Sequence, residues 1–182
     1  DVTDLKLKQL RSNIALVPQE GYLFTETLTE NIRYGNPKAS IEKVQESANE
    51  ARMTDDIKGF PDGFKTLVGE RGITLSGGQR QRTALSRALL VNSKIIVLDD
   101  ALASVDNKTA SAILQTIKSQ YNKTVLMISH QLSAAASCDR ILVMNEGKIV
   151  QEGTHQFLIM KDGLYRSMWE REKAKEQLQS ND

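Results

Sequence analysis

Leu75-Ser76-Gly77-Gly78-Gln79 runs into Arg80-Gln81-Arg82 and then into a stretch to Leu90 in which Ala84, Leu85, Ala88 and Leu89 recur at helical spacing. A helix therefore begins right after paired glycines. Glycine lets a backbone come close to an anion, the first-turn amides of a helix lack internal partners, and the positive end of the helix dipole points the same way. Phosphate fits that chemistry, and the Ser76 hydroxyl adds a donor. A Ser-Gly-Gly turn alone would read as an ordinary helix cap. Five specified residues recur by chance in roughly one sequence of this length in ten thousand, which removes the ordinary reading.

Downstream, Ile95-Ile96-Val97-Leu98 is a short apolar run that ends in Asp99-Asp100, and Val125 to Ile128 is a second. Between them Ala110, Ile113, Leu114, Ile117 and Tyr121 follow helical spacing. Strand, helix, strand predicts a right-handed crossover in a parallel sheet, and two carboxylates at the C-terminal end of a buried strand stand where such sheets place ligands. Upstream, Ile14 to Val17 reads as a buried strand stopped by Pro18. Thr27 and Glu30 form a capping box that opens a short helix ending at Gly35, and Ser40 caps a helix with Ile41, Val44, Ala48 and Ala51 on one face. Gly59, Pro61 and Gly63 then break the chain. Ile141 to Met144 and Lys148 to Gln151 flank Asn145-Glu146-Gly147 as a hairpin, and from Leu164 onward the pattern is a docked helix whose Glu170 to Glu176 end is solvated. The fold class is α/β.

The 182 residues carry 24 basic and 23 acidic side chains, a net charge of +1 that gives no reason to expect nucleic acid. Cys138 is the only cysteine, so an internal disulfide is excluded and a reducing compartment fits. No run approaches the ~18 apolar residues of a membrane helix. Asp1-Val2-Thr3-Asp4 resembles neither a signal peptide nor an initiator, and the expectation is a cut within a longer protein.

With its neighbours, Leu75 to Gln79 resembles the signature of ATP-binding-cassette (ABC) nucleotide-binding domains, and the resemblance runs over essentially the whole chain. It implies a P-loop NTPase fold of ABC type with a mainly parallel central sheet, a C-terminal β-hairpin and a C-terminal helix. The implied parts are a helical subdomain at about 27–92, a catalytic core at about 1–26 and 93–160, and a terminal helix at about 162–182. In that family the signature grips the γ-phosphate of ATP held by the opposing domain of a head-to-tail dimer, so Ser76, Gly77, Gly78 and Gln79 are expected to act in trans. Ile95 to Asp100 resembles the Walker B strand, which gives Asp99 to Mg2+, usually through water. Val17-Pro18-Gln19 resembles the Q-loop, whose glutamine carbonyl reaches Mg2+ and the attacking water. His130 resembles the switch histidine that donates to the γ-phosphate. Ala103-Ser104-Val105-Asp106 stands at the D-loop position, where Asp106 touches the partner's ATP site, caps the helix from Asn107, or does both. His155 matches a family stretch with no chemistry attached.

Asp100 departs from the resemblance, because the family usually has glutamate there to polarise the attacking water. Aspartate is about 1.5 Å shorter, and a misplacement of about 1 Å costs on the order of a hundredfold in rate, so a slow or inactive own site is expected. An intact signature beside that aspartate points to a heterodimer, with a homodimer as the alternative. Thr66-Leu67-Val68-Gly69-Glu70-Arg71-Gly72 resembles the exporter X-loop, which contacts the coupling helices of the transmembrane domains, and Phe24 to Gly35 resembles the exporter segment after the Q-loop. These stretches favour an exporter at the cytoplasmic face of the plasma or inner membrane. Its rivals are a soluble ABC ATPase of DNA maintenance or translation and a non-hydrolysing regulatory half. No Gly-Lys-Ser or Gly-Lys-Thr phosphate loop is present, which is attributed to truncation, and the isolated chain is expected to bind ATP poorly and to be inactive.

Overall fold

Strand pairing in register organises the sheet of the computed structural model, which describes residues 1–69, 73–120 and 123–179. The chain forms two units, Asp1–Ser129 and His130–Asp182. The first contains α1 (Leu7–Ser12), β1 (Ile14–Val17), β2 (Glu26–Thr27), α2 (Leu28–Arg33), α3 (Ile41–Glu50) and α4 (Thr54–Lys58). It continues through β3 (Leu67–Val68), α5 (Gly77–Leu89), β4 (Ile95–Asp99), α6 (Asn107–Gln120) and β5 (Thr124–Ile128). The second contains α7 (Leu132–Ala135), β6 (Ile141–Asn145), β7 (Lys148–Gly153), α8 (His155–Met160) and α9 (Leu164–Gln179).

The central sheet has the order β1-β4-β5 and is parallel throughout, as the alternation of apolar runs and helical patterns implies. Alternate side chains of a strand face opposite ways, and on one face Ala15, Val17, Ile96 and Leu98 join Leu85 of α5 and Ile113 and Ile117 of α6 in the core. Helix α5 packs on β1 through the face bearing Ala84, Leu85, Ala88 and Leu89, all buried. Strand β5 is apolar, yet Val125, Leu126 and Ile128 are exposed; β4 pairs one of its edges, and among the described residues no strand pairs the other.

Local chemistry fixes the helix ends. The Thr27 hydroxyl accepts from the Glu30 amide at 3.2 Å, but the Glu30 carboxylate turns to Arg33 instead of back to Thr27, so only half of the expected capping box forms. The helix stops at Arg33; Gly35 follows because a Cβ there would overlap the Arg87 carbonyl. Ser40 caps α3, which buries Val44 and Ala48, with Ala51 buried at its C-cap, while Ile41 at the first turn is 37% exposed.

In the second unit β6 and β7 form the hairpin, and its two turn residues, Glu146 and Gly147, have φ of 47° and 75°. Positive φ at both positions is what a right-twisted two-residue hairpin demands. Leu132, Ile141, Val143, Leu158 and Tyr165 make this unit's core. Glu172 of α9 accepts from the Leu132 and Ser133 amides, each at 3.0 Å, and so supplies the cap that Gln131 does not. Among the described residues no helix is long and apolar enough to cross a membrane.

Candidate functional site

Ser76 is the N-cap of α5. Its hydroxyl accepts from the Gln79 amide at 3.2 Å, and the Gln79 Oε1 accepts from the Ser76 amide at 2.9 Å, a complete capping box. A hydroxyl that accepts at one lone pair keeps its proton to donate, and the exposed Ser76 can offer it to an anion. The glycines answer a second demand that the sequence did not disclose. A Cβ on Gly77 would lie 3.1 Å from Ser104 Oγ, and one on Gly78 would lie 2.7 Å from the Ser104 carbonyl oxygen. The turn at Gly77 and Gly78 and the stretch read as a D-loop therefore touch at Ser104 within this one chain.

The rest of Gln79 is committed to the protein. Its Nε2 donates to Asp56 Oδ1 at 2.9 Å, while the other Asp56 oxygen pairs with Arg82 at 2.8 Å. Arg82 also donates to the carbonyls of Arg52 at 2.6 Å and Gly78 at 3.3 Å. Helix α4 and the turn after α3 thus lock the signature turn of α5 from behind.

Parallel register brings together the residues read as Q-loop and Walker B. Val17 stands opposite Leu98, so the residues two positions further along, Gln19 and Asp100, leave the sheet side by side, with Gln19 Nε2 3.5 Å from Asp100 Oδ2. Asp99 is the exposed last residue of β4. Asp100 has φ of 47°, a left-handed conformation that aspartate tolerates better than most residues, and its amide donates to the Ile128 carbonyl at 2.9 Å. Asp106 caps α6: its carboxylate accepts from the Thr109 amide at 2.9 Å, and that bond holds its carboxyl below the usual aspartate value. His130 opens the second unit, exposed, two residues ahead of α7.

The two stretches read as exporter-like are also neighbours. Glu26 pairs with Val68 and Thr27 with Leu67 in an antiparallel ladder. Thr66 is buried, its carbonyl accepting from the Leu28 amide at 3.0 Å, and Val68 is fully buried. Gly69 has φ of 101° and lies against Phe24, where a side chain would be strained. Glu70, Arg71 and Gly72 lie outside the described residues.

The ABC transporter family model matches residues 1–103, more than half of the chain. The chain belongs to the ABC transporter family. It is 44% identical, over 96% of its length, to the mitochondrial ABC transporter B family member 24 of Arabidopsis thaliana, of which it covers 26%. It is 42% identical, over 90% of its length, to the ATP-dependent lipid A-core flippase of Chromobacterium violaceum, of which it covers 28%. A bacterial Atm1-family ABC exporter solved with ATP bound matches 92% of the chain with a TM-score of 0.87 and 39% identity, the chain covering 30% of it. The ABC chain described here thus spans under a third of the length of each of these relatives.

Within this ABC chain, two residues at the site escaped the sequence reading of chemistry. Gln81 is buried at 6% exposure, with Nε2 3.4 Å from both the Gln19 and Asp100 carbonyls and Oε1 accepting from the Ser104 amide at 2.9 Å. Asn31, at 1% exposure, donates to the carbonyls of Phe24, Glu26 and Thr27 and accepts from the Phe24 amide. Arg87 braces the same segment through the Asn31 and Tyr22 carbonyls and lies 5.6 Å and 5.5 Å from the Phe24 and Tyr34 ring centroids. A polar residue on the buried face of a helical pattern was the available signal for Gln81, since buried amides need partners.

Proposed function

We propose that this chain is the ATP-binding and ATP-hydrolysing part of an ABC exporter that uses ATP to drive transport across a membrane. The observation that carries the reading is the capped signature turn, with the Ser76 donor and the Gly77 and Gly78 amides at one helix N-terminus, which suits the γ-phosphate of ATP. In this reading Ser76, Gly77 and Gly78 serve the ATP site of a second nucleotide-binding domain arranged head to tail, and Gln79 holds the turn in shape. The exporters and flippases among its relatives support a membrane partner, met through the segment Thr66 to Gly72.

For this chain's own ATP site, the donor set suits Mg2+. Asp99 offers an exposed hard oxygen at the end of β4, and Gln19 turns its Nε2 toward Asp100, which leaves the carbonyl Oε1 as the end for a cation. Bound Mg2+ would neutralise phosphate charge as hydrolysis proceeds. Asp100 polarises the attacking water and His130 donates to the γ-phosphate. The shorter Asp100 makes this own site slow and the assembly a heterodimer whose competent site is the one completed by Ser76 to Gly78. The membrane face is the cytosolic side of the plasma or inner membrane, in keeping with a single cysteine.

The transporter that contains this chain, purified into lipid vesicles, is expected to hydrolyse ATP in a Mg2+-dependent way and to lose most turnover in Ser76→Ala and Asp99→Asn variants. Absence of Mg2+-dependent hydrolysis, or turnover indifferent to both substitutions, overturns the reading. Asp100 favours one second reading, a regulatory half that binds ATP without hydrolysing it. Under that reading Asp100→Glu leaves turnover at this site at zero.

A further inference from the structure

We propose that Gln81 is a positioning residue that couples the two ATP sites of the assembled protein; this rests on the functional reading above. Gln81 touches three segments that lie 62, 19 and 23 residues away in sequence. Its amide group faces the carbonyls of Gln19 and Asp100, the residues assigned to this chain's own site, and its Oε1 takes the Ser104 amide. The same helix α5 begins with Gly77 and Gly78, whose backbones lie against Ser104, and with Ser76, which serves the partner's site.

One buried side chain therefore joins the residues that sense nucleotide here to the turn that grips nucleotide there. The amide group has two hydrogens and faces two carbonyls, each at 3.4 Å, and the 2.9 Å bond to Ser104 holds the opposite end, so a displacement of either carbonyl acts on a group already anchored to the D-loop. A shift of Gln19 or Asp100 is passed through Gln81 to α5, which moves as a rigid element, and to the D-loop. A buried amide that merely stapled the core would need partners of any kind. Here all three belong to loops assigned to ATP chemistry, and the glycine contacts bind the same D-loop residue independently.

Two substitutions separate the ends of the link. Gln81→Leu removes all three bonds, and Gln81→Glu keeps an acceptor for Ser104 while removing the donors to Gln19 and Asp100. In the full chain, hydrogen exchange at the Ser104 amide is expected to quicken by about tenfold or more in Gln81→Leu and to stay near wild type in Gln81→Glu. In the parent transporter both variants are expected to lower kcat about tenfold, leave the KM for ATP within about twofold and flatten the dependence of rate on ATP concentration. If Gln81→Leu does not fold, Gln81→Glu alone supports the proposal by the kinetic change or overturns it by matching wild type. Unchanged Ser104 exchange in a folded Gln81→Leu overturns the link, as does wild-type kinetics alongside quickened Ser104 exchange. A parent that hydrolyses no ATP overturns the functional reading and the coupling together, whereas normal wild-type turnover with indifferent variants overturns the coupling alone.

Discussion

Gln79 and Asp56 meet across 2.9 Å, so the last residue of the signature is tied to α4 in another part of the chain. Asp56 in turn holds Arg82, and both side chains are mostly buried. Removing the carboxylate strands two donors, and a hydrogen bond to a charged group contributes about 1.5–3 kcal/mol. Asp56→Ala is expected to destabilise the chain by about 2 kcal/mol, read as a shift of the urea midpoint with unchanged slope. Asp56→Asn keeps the acceptor for Gln79 and should lose less. Equal losses in the two variants would mean that Arg82, and not Gln79, carries the interaction.

Asp100 sets catalysis against backbone strain. At φ of 47° aspartate and asparagine are tolerated and longer side chains less so, at a cost of about 1 kcal/mol. Asp100→Glu is therefore expected to lower the melting temperature slightly while raising ATP turnover at this site by up to about a hundredfold in the assembled transporter. Asp100→Asn should melt like wild type and hydrolyse nothing at this site. Turnover unchanged by Asp100→Glu would remove the argument for an impaired site.

The elements that the sequence made legible are those encoded locally. Ile14 to Val17 and Ile95 to Leu98 are strands because apolar residues cluster between breakers, and Ser76 and Ser40 cap helices through bonds to residues three positions on. Even Gln19 beside Asp100 follows once parallel register is assumed, since each lies two residues past a paired position. The ties of Gln79 to Asp56 and of Gln81 to Ser104 were not legible, because both span 23 residues and depend on how helices pack. The capping box at Thr27 misled for a related reason: Arg33, one turn away, offers Glu30 a full opposite charge that the Thr27 amide cannot match. Apolar Val125 to Ile128 gave no sign of its exposure, since pattern reports what a strand could bury and not what covers it.

Asn31 organises the segment from Phe24 to Thr27 mainly through bonds to its backbone, with Arg87 also donating to its side-chain oxygen at 3.4 Å. Its amide takes three carbonyls at 3.0 to 3.3 Å, and its oxygen accepts from the Phe24 amide at 2.9 Å. Asn31→Leu has similar volume and removes these bonds, leaving the Phe24 amide without its acceptor while the Phe24 carbonyl keeps the Glu26 amide at 2.8 Å, so a loss of about 2 kcal/mol is expected by denaturant titration. Exchange at the Phe24 amide should quicken in the same variant. A loss below about 1 kcal/mol would show that water replaces Asn31 in these bonds.

Asp106 gives α6 a charged cap whose strength depends on pH. The Thr109 amide, donating at 2.9 Å, lowers the carboxyl pKa below the ordinary aspartate value of 3.8. A group depressed in the folded state stabilises that state above its unfolded pKa and loses the effect as pH falls through the folded one. Asp106→Asn retains a side-chain oxygen for Thr109 but cannot titrate. Wild type is therefore expected to be more stable than Asp106→Asn at pH 7, with the difference shrinking as pH drops below 3.8. Urea titrations of both chains at pH 7 and at successive acid values measure that difference, and a gap independent of pH would mean that the cap acts through shape alone.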